Sequence, residues 1–97
     1  MNMVQRESVS TEIEQYVIDK VKEFRTSKGI SQAKLAHIID LSVGFIGNVE
    51  NPRHIAKYNL NHLNRIAKEF DIPISCFFPD TYIWLKCKFA VWLSLIL

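Results

Sequence analysis

Apolar residues recur every three or four positions along the first part of the chain, which is the spacing of amphipathic helices. The first stretch begins at Thr11, which has the spacing of a capping box with Glu14, and ends at Gly29, which adopts positive φ without a Cβ clash. The pattern predicts one helix between these residues. Its inward stripe consists of Ile13, Val17, Ile18, Val21 and Phe24.

Two shorter helices are predicted next, each beginning after a serine that can cap it. Ser31 precedes the second helix and Ser42 precedes the third, and only residues 39–41 connect them. Asn51 and Pro52 end the third helix, because the residue before a proline avoids the α region. The inward positions are Leu35, Ala36 and Ile39 in the second helix and Phe45, Ile46 and Val49 in the third.

A loop is predicted over residues 51–58, followed by a fourth helix that Asn59 caps. Asp71 and the nearby Pro73 end this helix, and Ser75 is expected to cap a last short turn. The inward positions are Leu60, Leu63, Ile66, Ala67 and Phe70 in the helix and Phe77 and Phe78 in the turn. The predicted fold is therefore all-α, a compact bundle of four to five helices.

The end of the chain differs in composition, since only Lys86, Lys88 and Ser94 are plainly polar between residues 82 and 97. On strand spacing these three share one side, whereas on helical spacing they scatter, which favours a strand or an extended segment. As a helix the segment would reach about 24 Å, short of a bilayer core of roughly 30 Å, so no membrane span is expected. The chain is divided into an N-terminal extension (1–10), a helical domain (11–80) and a hydrophobic C-terminal tail (81–97).

Charge is distributed unevenly along the chain. Residues 24–68 contain seven Lys and Arg but two Asp and Glu, a net charge of +5, whereas the whole chain of 97 residues has a net charge of +2. A basic stretch of this kind is typical of a protein that binds nucleic acid. The length suits one domain with its own core, which favours a small binding module over an enzyme with a separate cofactor domain.

Two short helices joined by a tight turn, the second beginning at a capping serine, describe a helix-turn-helix. The motif consists of the runs 29–36 (GISQAKLA), 41–42 (LS), 45–46 (FI) and 49–51 (VEN). It resembles the Cro/repressor-type (Xre-type) helix-turn-helix family, and the run 63–70 (LNRIAKEF) is similar to the family's fourth helix. The resemblance covers residues 18–79 and implies a lambda-repressor-like bundle that binds duplex DNA through its third helix.

The resemblance also implies a role for individual residues. Gln32 matches a glutamine that bonds a phosphate or supports side chains that contact bases, and Glu50 matches a structural glutamate that bonds the backbone or a nearby arginine. The candidates for contact with base edges are Val43, Gly44, Gly47 and Asn48. The candidates for contact with phosphates are Gln32, Lys34, Ser42, Asn51, Arg53 and Lys57, with Arg25 and Lys28 as further basic candidates.

The chain departs from the family pattern in its turn and in its third helix. Asp40 stands where the family usually has Gly in a left-handed conformation, which Asp tolerates at a modest cost. The third helix contains no Arg or Lys, so Asn48 is its one amide that could pair with adenine, while Val43 could pack on a thymine methyl. Gly44 and Gly47 lower helix stability by about 1 kcal/mol each relative to Ala; they either let DNA approach closely or indicate weak readout.

No pattern in the sequence indicates a catalytic, metal or cofactor site. There is no Ser/His/Asp or Cys/His arrangement and no Gly-rich phosphate loop. The three histidines, His37, His54 and His62, lack metal-ligand spacing and are expected on the surface, and the two cysteines complete neither a zinc set nor a disulfide framework. No apolar run near the N-terminus could act as a secretion signal, so we expect a cytoplasmic protein. Because no catalytic arrangement is apparent, we also expect that it is not an enzyme.

The leading hypothesis is a small transcription regulator, of the repressor kind, that binds double-stranded DNA as a homodimer. The alternative is a protein-interaction module, or an antitoxin-like partner protein, that uses the tail and has weak or lost DNA readout. The tail itself is expected to dock on the core or on a second subunit, to bind another protein, or to be dispensable. The alternative is motivated by the lack of Arg and Lys in the third helix and by the hydrophobic tail.

Overall fold

The structure, a computed structural model, describes residues 10–83. Within them the chain forms four α-helices followed by a 3₁₀ turn and no strand. The elements are α1 (Glu12–Ser27), α2 (Gln32–Ile38), α3 (Val43–Glu50), α4 (Leu60–Phe70) and the 3₁₀ turn (Ile74–Phe77). The expected all-α bundle with a helix-turn-helix, formed by α2 and α3, is confirmed. The strand or extended segment expected in the tail falls on residues 84–97, outside the described range.

The first three helices begin at the capping residues that the sequence predicts. Thr11 Oγ1 accepts the Glu14 N–H at 3.2 Å, and the Glu14 carboxylate accepts the Thr11 N–H at 2.9 Å, which is a complete capping box. The hydroxyl oxygens of Ser31 and Ser42 accept the backbone N–H three residues further on, at 3.0 and 3.1 Å. Each bond satisfies one of the N–H groups that a helix leaves without an internal partner.

Three helices end at a residue in the left-handed conformation. Gly29 follows α1 with φ 71°, Asp40 follows α2 with φ 60°, and Asp71 follows α4 with φ 58°. In each case the next N–H donates to a carbonyl five residues earlier, at 3.0, 2.9 and 3.1 Å, which is the Schellman arrangement. Asp40 therefore makes the tight turn between α2 and α3 that the family usually makes with glycine.

The hydrophobic core joins all five elements through large side chains. The largest fully buried ones come one from each element, namely Val21, Leu35, Ile46, Ile66 and Phe77. Together with their neighbours they form one continuous cluster. No helix has an apolar face that is buried by local contacts alone, so the position of α3 depends on the whole bundle.

The packing of α2 against α3 in the core leaves room for only a small residue at position 36. Ala36 is 1% exposed there, next to the buried Leu35 and Ile46. Since interiors are close-packed, a larger side chain at this position would force the two helices apart. The spacing of the helix-turn-helix is thus fixed by packing.

Three predictions about individual positions are wrong. Ile13 and Leu60, expected to face inward, are 38% and 71% exposed. Both lie in the first turn of their helices, beyond the reach of the core. Ser75 lies inside the 3₁₀ turn instead of capping it, because Pro73, whose φ of −64° suits the entry, precedes the turn with no side-chain cap.

His62 is half-buried, which also differs from the surface position expected for it. Its Nδ1 accepts the Asn59 N–H at 3.1 Å, while Asn59 Oδ1 accepts the His62 N–H at 2.8 Å, so a histidine completes the capping box of α4. The imidazole also contacts the rings of Phe45 and Tyr58, with centroids 5.2 and 6.3 Å away. Burial lowers the pKa of His62 below its usual value of 6.5.

Within residues 10–83, no helix has both the length and the apolar character needed to cross a bilayer. The longest described helix, α1, has 16 residues and four acidic side chains.

We expect acid to destabilise the fold through His62. Because its folded pKa is lowered, the unfolded chain takes up the proton first, so stability is complete above pH 6.5 and falls as the pH drops below it. Protonation also removes the Nδ1 acceptor that caps α4. Thermal unfolding measured from about pH 7 to pH 5 should show a steeper loss for the native chain than for the His62→Gln variant, which keeps a capping acceptor but does not titrate. Parallel curves would contradict this.

Candidate nucleic-acid interface

A buried ion pair joins α1 to the last residue of α3. Arg25 Nε and Nη2 donate to the two carboxylate oxygens of Glu50, both at 2.9 Å, and Arg25 Nη1 donates to the Ile30 carbonyl at 2.7 Å. The two side chains are 9% and 3% exposed. Arg25 is therefore not the surface cation that the sequence indicated, because its guanidinium is buried and bonded to Glu50 and to the Ile30 carbonyl. The structural role implied for Glu50 is confirmed.

Gln32, at the start of α2, is held by the same carboxylate. Its Nε2 donates to Glu50 Oε1 at 2.8 Å. Because a carboxylate only accepts hydrogen bonds, this contact turns the amide nitrogen inward and leaves Oε1 over α3. There it lies 3.6 Å from the position that a Cβ of Gly47 would occupy. Of its two expected roles, Gln32 thus has the geometry of a supporting residue, and its contact with phosphate remains a prediction.

One face of α3 is exposed, and it contains the four residues expected to contact bases. Val43 is 51% exposed, Gly44 and Asn48 are exposed, and Gly47 is half-buried under Gln32. The opposite face, made by Ile46 and Val49, is buried in the bundle, and Phe45 packs against it as expected. The structure therefore brings the base-edge candidates together on one surface of the helix.

The two glycines of α3 are not required by the protein's own packing. A Cβ at Gly44 would have Ser42 Oγ as its nearest neighbour, at 3.9 Å, and a Cβ at Gly47 would have Gln32 Oε1, at 3.6 Å. Both are ordinary van der Waals distances. Neither glycine has positive φ. The open surface that they leave on α3 is thus not explained by the fold.

The phosphate candidates after α3 are found in two settings. Asn51 Oδ1 accepts the Arg53 N–H at 3.0 Å, which orders the start of the loop, and the Arg53 side chain is exposed. Lys57 Nζ donates to the Ile55 carbonyl at 2.8 Å, and the side chain lines a groove between α1 and α4. Lys57 thus lies at this groove and not on the α3 face. The remaining basic candidate, Lys34, precedes α3 and is exposed on α2.

The positive charge of residues 24–68 lies on the surface. Arg25 and Glu50 cancel each other inside the bundle, so the net charge of +5 is carried by the remaining six basic residues against Asp40. Of these, Lys28 lies over the ring of Phe70 at 5.7 Å, and Lys57 bonds its own loop. Arg53 and Lys34 are exposed cations on the elements that flank α3.

Tyr58 supports the loop from the inside and was not singled out by the sequence. Its ring contacts Phe45 at 6.2 Å, and its hydroxyl is buried with no hydrogen-bond partner among the described residues. Burial, followed by the negative charge of Glu50, raises the pKa of this phenol, so it stays neutral. Within residues 10–83 there is also no cluster of three or more His, Cys, Asp or Glu side chains that could hold a metal ion.

Comparison with solved structures identifies this arrangement. The chain is similar to the restriction-modification controller protein C.AhdI from Aeromonas hydrophila, with 30% sequence identity and a TM-score of 0.56 over 65% of this chain and 92% of that one. The chain belongs to the Cro/repressor-type (Xre) helix-turn-helix family. A transcriptional regulator from Listeria innocua shares the fold of this Xre-family chain, with 14% identity and a TM-score of 0.58 over 82% of this chain and 74% of that one.

No protein-family model matches the Xre-family chain, and no curated protein matches its sequence. The similarity to the controller protein, together with membership of the Xre family, supports a DNA-binding regulator in general terms. For each of the candidate residues, contact with DNA stays a prediction.

Removal of either partner of the buried ion pair should destabilise this Xre-family chain strongly. Arg25→Ala and Glu50→Ala each leave a buried charge without a partner, which costs about 3–5 kcal/mol in the free energy of unfolding. Lys20→Ala is the control, since the Lys20–Glu23 pair is exposed and should contribute little. Urea unfolding measures all three. If Arg25→Ala unfolds like Lys20→Ala, the ion pair does not hold the bundle.

Proposed function

We propose that the chain is a sequence-specific transcription regulator, acting as a repressor, that binds double-stranded DNA with α3 in the major groove. The observation that carries the proposal is the exposed face of α3, with exposed cations, Lys34 and Arg53, on the elements that precede and follow it. A helix that exposes one face and is anchored through the other fits the major groove, which is wide enough to admit it. The descriptions of the two similar proteins, a controller and a transcriptional regulator, support transcription as the process.

Phosphate contacts supply most of the affinity in this proposal, because α3 has no cation of its own. Arg53 and Lys34 provide charge, whereas Ser42 and Asn51 provide neutral hydrogen-bond donors near the start and end of α3. Gln32 takes part only through the second N–H of its amide, since the first donates to Glu50. Such contacts fix the register of the protein on DNA without selecting a sequence. Lys57 is a less direct candidate, since its ammonium also donates to the Ile55 carbonyl and its side chain lines the groove between α1 and α4.

Sequence selection is assigned to few groups. Asn48 has the amide that pairs with N6 and N7 of adenine, and Val43 has an exposed apolar surface for a thymine methyl. Gly44 and Gly47 offer the DNA no side chain, but they let it come closer to the backbone of α3. The chain is proposed to bind as a homodimer, so that two α3 helices contact half-sites about 34 Å apart on one side of the duplex.

Titration of duplex DNA across salt concentrations tests the proposal. Arg53→Ala should weaken binding to all sequences alike and reduce the salt dependence, since it removes one phosphate contact. Asn48→Ala should instead relax the preference at one base pair by about 1–3 kcal/mol. Asn64→Ala is the control and should leave the preference unchanged, since Asn64 is exposed on α4, away from α3. A chain that binds no duplex even at low salt is not a DNA-binding regulator, and a protein-interaction module would then be the better account.

Replacement of the two glycines should separate stability from binding. Gly44→Ala and Gly47→Ala fit sterically, so each should raise the free energy of unfolding by up to about 1 kcal/mol through helix propensity. Each added methyl also occupies space that the proposal reserves for DNA, so affinity should fall. Asn64→Ala is again the matched control, because it favours the helix away from α3. Variants that become more stable with unchanged affinity would show that DNA does not approach these positions closely.

A further inference from the structure

A second surface feature, separate from the exposed face of α3, is an apolar groove between α1 and α4. Its volume is about 170 Å³. Val17, Ile18 and Leu63 line it and are buried in the bundle, whereas Ile13 and Leu60, at its edges, are exposed. These edges are the two positions that the helical pattern predicted to be inside. The sequence thus provides apolar residues for a contact that residues 10–83 do not themselves complete.

The described part of the chain ends five residues after a residue that lines this groove. Phe78 lines the groove, and Ile83, the last described residue, is half-buried five residues later. Five residues span at most about 18 Å when fully extended. Residues 84–97 therefore begin within reach of the groove, and their length is ample to follow it.

The composition of residues 84–97 suits the groove. Apart from Lys86, Lys88 and Ser94 the segment is apolar, and it includes Trp84 and Trp92. An apolar cavity of about 150 Å³ holds a benzene ring, so the groove has the capacity for one aromatic side chain. Exposed apolar surface is costly in water, and covering it stabilises by about 25 cal/mol for each Å² that is removed from solvent.

The charges at the groove and in residues 84–97 are also complementary. The first turn of α1, at one end of the groove, contains Glu12 and Glu14, and Glu14 is one of the lining residues. Their negative charge is complementary to that of Lys86 and Lys88. Lys57 also lines the groove and keeps its positive charge while donating to the Ile55 carbonyl, but the two carboxylates of the first turn of α1 outnumber it.

We infer that residues 84–97 occupy the groove between α1 and α4 of their own molecule and cover Ile13 and Leu60. The short connection from Phe78 favours the same molecule, because a tethered segment has an effective concentration in the millimolar range. In this arrangement the hydrophobic segment completes the core of the DNA-binding domain and is not left exposed for aggregation. The inference stands independently of which DNA sequence the protein binds.

Intrinsic tryptophan fluorescence of the full chain tests the inference, because the chain has two tryptophans and both lie in this segment. With the segment docked, emission should be blue-shifted and weakly quenched by acrylamide relative to the urea-unfolded chain, and independent of protein concentration. Leu60→Lys should shift the emission to longer wavelength and increase quenching. Ile55→Lys is the matched control, since Ile55 is 74% exposed but does not line the groove, and it should change neither.

Three results would overturn the inference. They are water-like emission from the folded native chain, equal effects of Leu60→Lys and Ile55→Lys, and protection that disappears on dilution. The last would mean that the segment docks on a second copy. Far-UV circular dichroism reports whether each variant keeps its helices, and Ile13→Lys, at the other edge of the groove, replaces Leu60→Lys if that variant unfolds. Loss of DNA binding with unchanged fluorescence would count against the proposed function and leave this inference standing.

Discussion

The arrangement of this protein depends on a buried carboxylate, that of Glu50, which three elements share. It receives two hydrogen bonds from Arg25 of α1 and one from Gln32 of α2, while its own backbone ends α3. Burying these charges is tolerable because they are paired with each other, because Arg25 also donates to the Ile30 carbonyl, and because the carboxylate accepts a further bond from Gln32. The carboxylate thereby fixes the end of the proposed DNA-contacting helix relative to the start of the helix that crosses it. Apolar packing alone has no such directional preference.

Local patterns in the sequence were sufficient for most of the fold. Thr11, Ser31, Ser42 and Asn59 start their helices because a cap involves only residues three positions apart. Gly29 is likewise recognisable as a helix end from its immediate neighbours. The stripes of apolar residues identified the core, apart from positions in the first turn of a helix, where spacing alone does not say whether another element lies above.

What the sequence could not provide was the pairing of distant residues. Arg25 and Glu50 are 25 positions apart, and no periodicity connects them, so Arg25 looked like one more surface cation. His62 was similarly misjudged, since histidine is not among the usual capping residues and its contacts with Phe45 and Tyr58 come from two other segments. For the candidate interface, the resemblance correctly indicated which face of α3 is exposed, but not that Gln32 is oriented by Glu50.

The shared core sets the size of the unit that can evolve or be transplanted. Since each of the five elements contributes one of the largest buried side chains, removing any element opens a hole that the others cannot fill. The helix-turn-helix, residues 31–51, is therefore not a portable module, because its apolar underside has no partner without α1, α4 and the 3₁₀ turn. Change can accumulate on the outer face of α3 at little cost to the fold. A new binding preference is thus accessible by substitution on that face, whereas a graft of α2 and α3 onto another protein is not.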